Sequence, residues 1–183
     1  MNAAAAHPSV EQKVNKPIET FRLETAPSSR ALRDALGAFA TGVTVVTARD
    51  AGGRAFGLTV NSFNSVSLDP PLVVWSLSLA SPNLPAFRAC SHYAVNVLAL
   101  DQAWLSQRFA NREDDKFAGL ETADGLGGAP LLPGCCACFE CANEAQHAGG
   151  DHLLLIGRVE RFSRFPKEPL VFQGGRYRAL RDA

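Results

Sequence analysis

The chain has 183 residues, enough for one domain and too few for two large ones. Apolar residues make up 46% and charged residues 20%, which argues against a disordered chain or a coiled coil. Eighteen basic side chains cancel eighteen acidic ones, so no basic field gathers nucleic acid or anionic lipid, and neither is expected as a partner.

Residues 1–28 carry Pro8, Pro17 and Pro27 without a sustained period, and read as a flexible N-terminal arm before a folded domain over 29–183. The alanine run Ala3 to Ala6 has no basic segment leading into an apolar one, so no secretory signal is expected. Ser28 or Ser29 caps a predicted helix whose Leu32, Ala35, Leu36 and Phe39 fall on one face. Thr41 to Thr47 is β-branched and strand-like, Arg49 to Gly53 is a turn, and Ala55 to Val60 returns as a hairpin partner. Asp69-Pro70-Pro71 breaks the chain before Leu72 to Leu77, a run apolar on both faces and so predicted as a fully buried strand.

Ser81 caps a short predicted helix with Pro82 in its first turn and Leu84 and Phe87 turned inward. Tyr93 to Leu98 is another strand. Asp101 then caps a helix carrying Trp104, Leu105, Arg108 and Phe109 at helical spacing. Asn111 to Pro133, rich in Gly and Asp, reads as a long loop. Strands follow through Phe139, from His152 to Phe162, and at Leu170 to Phe172. Six or seven strands with three helices and no βαβ alternation predict a mostly β fold, an antiparallel barrel with peripheral helices.

Gly125-Leu126-Gly127-Gly128 lacks the spacing of a dinucleotide fingerprint, and there is no Walker loop or Gly-x-Ser-x-Gly elbow. His7, His92, His147 and His152 show no metal-ligand spacing, so no metal is expected from them. The unusual segment is Gly57 to Pro71, with six small polar side chains in the nine residues from Thr59 to Ser67. A polar loop leaving a buried strand offers hydroxyls and backbone N–H groups to a flat heterocycle and a phosphate-bearing chain. An ordinary Ser/Asn-rich turn has the same composition.

Several stretches carry a resemblance in order: Thr41 to Thr47, Thr59 to Pro71, Ser81-Pro82-Asn83-Leu84, Tyr93 to Leu98, and Asp115-Lys116-Phe117. Gly150-Asp151-His152, Ile156-Gly157-Arg158-Val159 and Pro169 to Tyr177 continue it. Between Leu32 and Leu180 the chain resembles the flavin reductase-like, FMN-binding split-barrel family, and within it the small reductase components of two-component flavin-dependent monooxygenases. The resemblance implies a homodimeric, six-stranded antiparallel split β-barrel that binds FMN or FAD. It implies an NAD(P)H:flavin oxidoreductase, with NADH or NADPH passing hydride to flavin N5 and reduced flavin diffusing to a partner monooxygenase.

Carried over residue by residue, Thr59, Asn61, Ser62 and Ser65 contact the isoalloxazine and ribityl groups, and Thr41 and Gly42 lie close to the ring. Ser81 and Asn83 reach the phosphate, and Lys116 supplies a phosphate or dimer-contact charge. His152 is the catalytic candidate, approaching the nicotinamide, and Arg176 with Tyr177 closes over the same face. Two other readings stay open: a flavoprotein whose permanently bound flavin reduces another acceptor, and a non-catalytic flavin- or metal-binding module.

Plainer roles compete for several of these residues. His152 is also read as a hydrogen-bonded structural group, and Lys116 as a surface ion pair. Trp75 and Phe87 read as core, and Trp104 and Phe109 as helix packing. Four cysteines crowd into Cys135-Cys136-Ala137-Cys138-Phe139-Glu140-Cys141. That spacing is unlike a secreted disulfide scaffold, and a reducing cytoplasm is expected. A strand there sends Cys136, Cys138 and Glu140 to one face and Cys135, Ala137, Phe139 and Cys141 to the other, which disfavours tetrahedral closure. Buried strand thiols and a metal or redox role both remain open readings.

Overall fold

The computed structural model describes residues 28–112 and 115–181, so the expected N-terminal arm lies outside the described residues except for Ser28. The elements are α1 (Ser29–Leu36), β1 (Thr41–Gly42), β2 (Thr44–Arg49), β3 (Ala55–Val60), β4 (Asn64–Leu68), β5 (Pro71–Ser78), α2 (Leu84–Ala89) and β6 (His92–Val97). After them come α3 (Ala103–Ala110), β7 (Ala123–Asp124), β8 (Pro130–Leu131), β9 (Ala137–Gly149), β10 (His152–Arg164), β11 (Val171–Gln173) and β12 (Arg176–Arg178). Among the described residues, no helix is long and apolar enough to cross a membrane.

The fold is mostly β with few helices, but the expected six-stranded barrel is corrected. Seven strands form one antiparallel sheet in the order β3-β2-β6-β9-β10-β5-β4, with β3 and β4 as its edges. The extra strand comes from the polar segment after β3. Expected as a loop, it runs on from Asn64 as β4 and pairs with β5, Asn64 opposite Val74 and Leu68 opposite Pro71. Strands β1, β11 and β12 make a separate sheet, and β7 pairs with β8 inside the predicted long loop.

β2 is buried on both faces, which a β-branched run tolerates and a charged one does not. One side of it joins a core containing Val46, Trp75, Phe87, Tyr93, Cys141 and Leu155. The other joins Val45, Leu98, Leu105, Phe109, Leu132 and Leu170. Trp75 and Phe87 are core residues as expected, meeting edge to face at 4.9 Å.

Between the two cores, Asn96 of β6 is fully buried and fully used. Its Nδ2 donates to Val45 O and Thr47 Oγ1, both at 3.1 Å, and its Oδ1 accepts from Leu132 N at 2.9 Å. Thr47 Oγ1 in turn donates to Pro130 O at 2.6 Å, tying β8 to β2. A buried amide is tolerable only with such saturation.

Three local expectations are corrected. Ser28 does cap α1, accepting from Ala31 N at 3.2 Å, and the apolar stripe of that helix is open. Leu32, Leu36 and Phe39 are 48%, 65% and 74% exposed, because no described element covers a helix that precedes the sheet. β5 alternates instead of burying both faces: Val73, Trp75 and Leu77 point inward, while Leu72 and Val74 are half-buried beside Ile156 of β10.

α2 begins beyond Ser81, with Asn83 at its N-cap and Pro85 in its first turn. Asp101 does not cap α3. Gln102 ends a short turn there, its Oε1 accepting from Ala99 N at 3.0 Å and its Nε2 donating to Pro133 O at 2.8 Å.

Gly157 of β10 faces Tyr93. A Cβ at that position would stand 2.2 Å from Tyr93 Oη and 2.9 Å from Cys141 Cβ. Gly157→Ala is expected to cost about 1–3 kcal/mol by overpacking in urea denaturation. Tyr93→Phe is expected to recover part of the Gly157→Ala loss in the double variant, because it removes the oxygen that the new Cβ meets.

Candidate functional site

β3 is an edge strand, and α3 packs along it. Gly57 allows the approach: a Cβ there would meet Val46 O at 2.9 Å, Thr47 Cγ2 at 3.1 Å and Phe109 Cε1 at 3.2 Å. The strand edge, the end of α3, the Ala80–Asn83 turn and the segment around Lys116 enclose a cleft of about 800 Å³. Its apolar walls are Phe56, Leu58, Phe109 and Phe117.

Lys116 holds the cleft together, in a role beyond a surface ion pair. Its Nζ donates to Phe109 O at 2.7 Å, where a cation meets the negative end of α3, and reaches Gly57 O on the strand edge at 3.5 Å. Arg108 donates from Nε to Lys116 O at 2.8 Å and from its guanidinium to Ala118 O, clamping the segment that follows the helix.

Of the expected ligand-binding residues, Thr59, Ser81, Asn83 and Lys116 line this cleft. Thr59 Oγ1 donates to Ser106 O of α3 at 2.6 Å, which leaves its lone pairs for a ligand donor. Ser81 Oγ accepts from Asn83 N at 3.3 Å and shapes the turn. Arg54, Asn111 and Arg112 also line the cleft and were not singled out from the sequence. Arg54 follows a Gly-Gly turn, and Asn111 and Arg112 open an Asp-rich stretch. Their one signal was basic character flanking a strand and a helix that only the fold makes neighbours.

The remaining candidates do not line it. Asn61 and Ser65 are exposed beside and on edge strand β4. Ser62 is committed to backbone: Oγ accepts from Ser76 N at 3.0 Å and donates to Ser76 O at 3.2 Å. Thr41 and Gly42 form β1, opposite Phe172 and Val171 of β11, and Arg176 and Tyr177 lie on β12 of the same sheet. Tyr177 Oη donates to Ser106 Oγ at 2.9 Å, so its hydroxyl points to α3, and Ser106 links β12 to Thr59.

His152 sits at the β9–β10 turn with Nδ1 2.7 Å from Asp151 Oδ1. That hydrogen bond, reinforced by the imidazole's charge, holds the Asp151 carboxyl below its usual range. His152 is in register with Ser78, and Leu79 N donates to Asp151 O at 2.9 Å. The turn is therefore fastened beside the chain that runs on into Ala80 and Ser81 of the cleft.

The cysteines diverge. Cys141 lies in the core with Tyr93, and burial pushes its thiol up to about 12. Cys136 Sγ points at the Glu168 and Lys167 carbonyls, 3.4 and 3.5 Å away. Cys135 and Cys138, expected on opposite faces, share the other core, because β9 begins only at Ala137, after a bend at Cys136. Among the described residues, no group of three His, Cys, Asp or Glu side chains is placed to hold a metal ion.

Comparison with known proteins identifies the family. An FMN reductase (NADH) of Agrobacterium fabrum is 44% identical over 169 residues, covering 92% of this chain and 96% of that protein. The reductase component of a flavin-dependent trigonelline monooxygenase from Acinetobacter baylyi is 44% identical over 148 residues, covering 81% of this chain but 48% of that protein. Against that relative, the chain spans about half the length. The crystal structure of a Streptomyces globisporus NADH:FAD oxidoreductase with NAD and FAD fragments superposes with a TM-score of 0.79 at 38% identity, covering 83% of this chain and 92% of that one. The family model described as flavin reductase like domain matches residues 36–181, and the chain belongs to that family.

Proposed function

We propose that this protein is an NADH-dependent flavin reductase that supplies reduced flavin to a partner monooxygenase, with the folded domain extending over 29–183. The observation that carries the reading is the convergence of Thr59, Ser81, Asn83 and Lys116 on one cleft at the β3 edge. The residues suit a flavin mononucleotide unit. Its volume of about 800 Å³ falls within the ~300–1,000 Å³ common for small-ligand sites. Lys116, Arg54 and Arg112 supply positive charge, Ser81 and Asn83 supply polar groups for a phosphate, and Phe56, Leu58 and Phe117 supply apolar wall.

When bound, the flavin supplies the two-electron acceptor for the nicotinamide. The chain's own part is to bind, align and exclude water. Thr59 would offer an acceptor to the bound ring, since its own proton is committed to Ser106. Asp151 fixes the imidazole of His152 at the turn beside the cleft, where it orients the nicotinamide. Alignment of this kind lowers a barrier by up to ~7–11 kcal/mol in favourable cases without a proton relay.

We also propose a homodimer, acting in the reducing cytoplasm that five free thiols favour. Support comes from apolar surface that the single chain leaves open. On the outer side of the β4–β5–β10 ladder, Val74 pairs with Ile156 and both are half-buried. Separately, Phe63, Phe139 and Phe162 form an aromatic row at the open edge of the inner core, ending in a Phe162 that is 72% exposed. A second copy would cover this open apolar surface.

Purified protein mixed with FMN or FAD is expected to consume NADH continuously. Gel filtration is expected to separate the flavin from the protein, whereas retention at one flavin per chain would favour a permanently bound group. Unchanged NADH absorbance with either flavin would overturn the reading.

Ser81→Ala combined with Lys116→Met is expected to weaken flavin binding at least ~10-fold, about 1.4 kcal/mol, in a fluorescence titration. His152→Ala is expected to lower kcat about 10-fold while leaving flavin affinity within about twofold. Light scattering is expected to give twice the chain mass, and a monomer at micromolar concentration would refute the dimer.

A further inference from the structure

The bend at Cys136 makes a thiol pair out of residues that a continuous strand would separate. Cys136 N donates to Val97 O at 2.8 Å before β9 begins, and Asn96 pairs with Cys138 across the sheet. Cys138 Sγ therefore donates to Asn96 Oδ1 at 3.2 Å, and Cys135 lies with Cys138 in the same buried cluster.

A second cavity, of about 480 Å³, opens onto Cys138. Cys138 lines it together with Thr122, Leu131, Pro133, Gly134 and Phe165. Cys135 and Cys138 are only 1% and 5% exposed, so the pair is closed to bulky thiols but adjoins a space that admits a small oxidant. No cysteine lines the flavin cleft.

We propose that Cys135 and Cys138 are a hydroperoxide-reactive dithiol, a modification site separate from the cleft, which closes to an intramolecular disulfide. The oxidant class is on hand in this chemistry, because reduced flavin released into air reduces dioxygen to hydrogen peroxide. In the first step the Cys138 sulfur attacks one peroxide oxygen. An S–O bond forms, the O–O bond breaks, and the leaving hydroxide takes a proton to become water. In the second step the Cys135 sulfur attacks the Cys138 sulfenic sulfur. The S–S bond forms, the S–O bond breaks, and hydroxide leaves with the Cys135 proton as a second water. Two thiols lose two electrons and one peroxide gains them.

The order of the two roles follows from access: Cys138 lines the cavity and Cys135 does not, so peroxide meets Cys138 first. The directions agree, with Cys138 held below the ordinary thiol range by its neighbour and Cys135 pushed up by the same neighbour and by burial. Cys90, by contrast, is driven up to about 11 by burial.

The test uses the full chain, reduced, desalted and free of flavin, so its outcome does not depend on the flavin reductase reading. Hydrogen peroxide is added in about tenfold excess, and remaining thiols are alkylated after denaturation. The five thiols per chain are expected to fall by two. Mass spectrometry is expected to find the peptide spanning 135–141 lighter by two hydrogens and restored by dithiothreitol.

Cys135→Ser is expected to stop at a Cys138 sulfenic acid that dimedone traps, and Cys138→Ser to keep its remaining thiols. The proposal is overturned if the wild-type chain keeps all its thiols, if the lost thiols include Cys90, Cys136 or Cys141, or if the bond formed links two chains. The wild-type measurement decides the matter even where a variant fails to fold.

Discussion

The cleft exists because Gly57 lets a helix lie against a strand edge. Edge strands leave backbone groups unpaired, and proteins cover them, charge them or use them. Here α3 covers part of β3, Phe109 fills the space a side chain at Gly57 would occupy, and Lys116 reaches both the strand carbonyl and the helix end. A bulkier residue at Gly57 would displace α3, and with it the segment that carries Lys116 and Phe117 into the cleft. Binding polarity and tertiary packing meet at this one position.

Behind that edge, β2 acts as a partition with an apolar core on either side. Such a strand needs its few polar neighbours saturated, and Asn96 supplies the solution. One amide satisfies Val45 O and Thr47 Oγ1 through its nitrogen, and Leu132 N through its oxygen. The same amide oxygen receives Cys138, so the thiol segment is anchored to the scaffold that also supports β3. The loop before β9 is thereby held in a bend, and that bend sets the chemistry of Cys135 and Cys138 apart from the isolated thiols of Cys90 and Cys141.

Much of the site was legible along the chain. Ser81-Pro82-Asn83 sits where a buried strand gives way to a short helix, and Asp115-Lys116-Phe117 follows a helix end, so small polar and cationic groups could be assigned to turns. Thr59 came from the family resemblance, as the first residue of the polar stretch that leaves an apolar strand. Arg54 and Arg112 were not legible, because each belongs to a turn or loop whose composition reads as solvated, and their meeting depends on α3 lying along β3. Tyr177 and Ser62 were read as facing a ligand, yet the fold directs the Tyr177 hydroxyl to Ser106 and the Ser62 hydroxyl to Ser76.

Residue pattern alone determined the element types and the absence of a βαβ alternation, because β-branched runs, prolines and glycines act through local sterics that need no partner. The family resemblance, not the pattern, marked Thr59, Ser81, Asn83 and Lys116, among eleven positions carried over as cofactor-binding. Tertiary structure decided what local sterics cannot reach. It determined that the polar run from Asn64 becomes a seventh strand, that the α1 stripe faces outward, and that Cys135 and Cys138 meet across a bend. Each of these turns on which surface lies opposite, and a strand edge, a helix stripe or a thiol acquires its partner only when distant parts of the chain pack together.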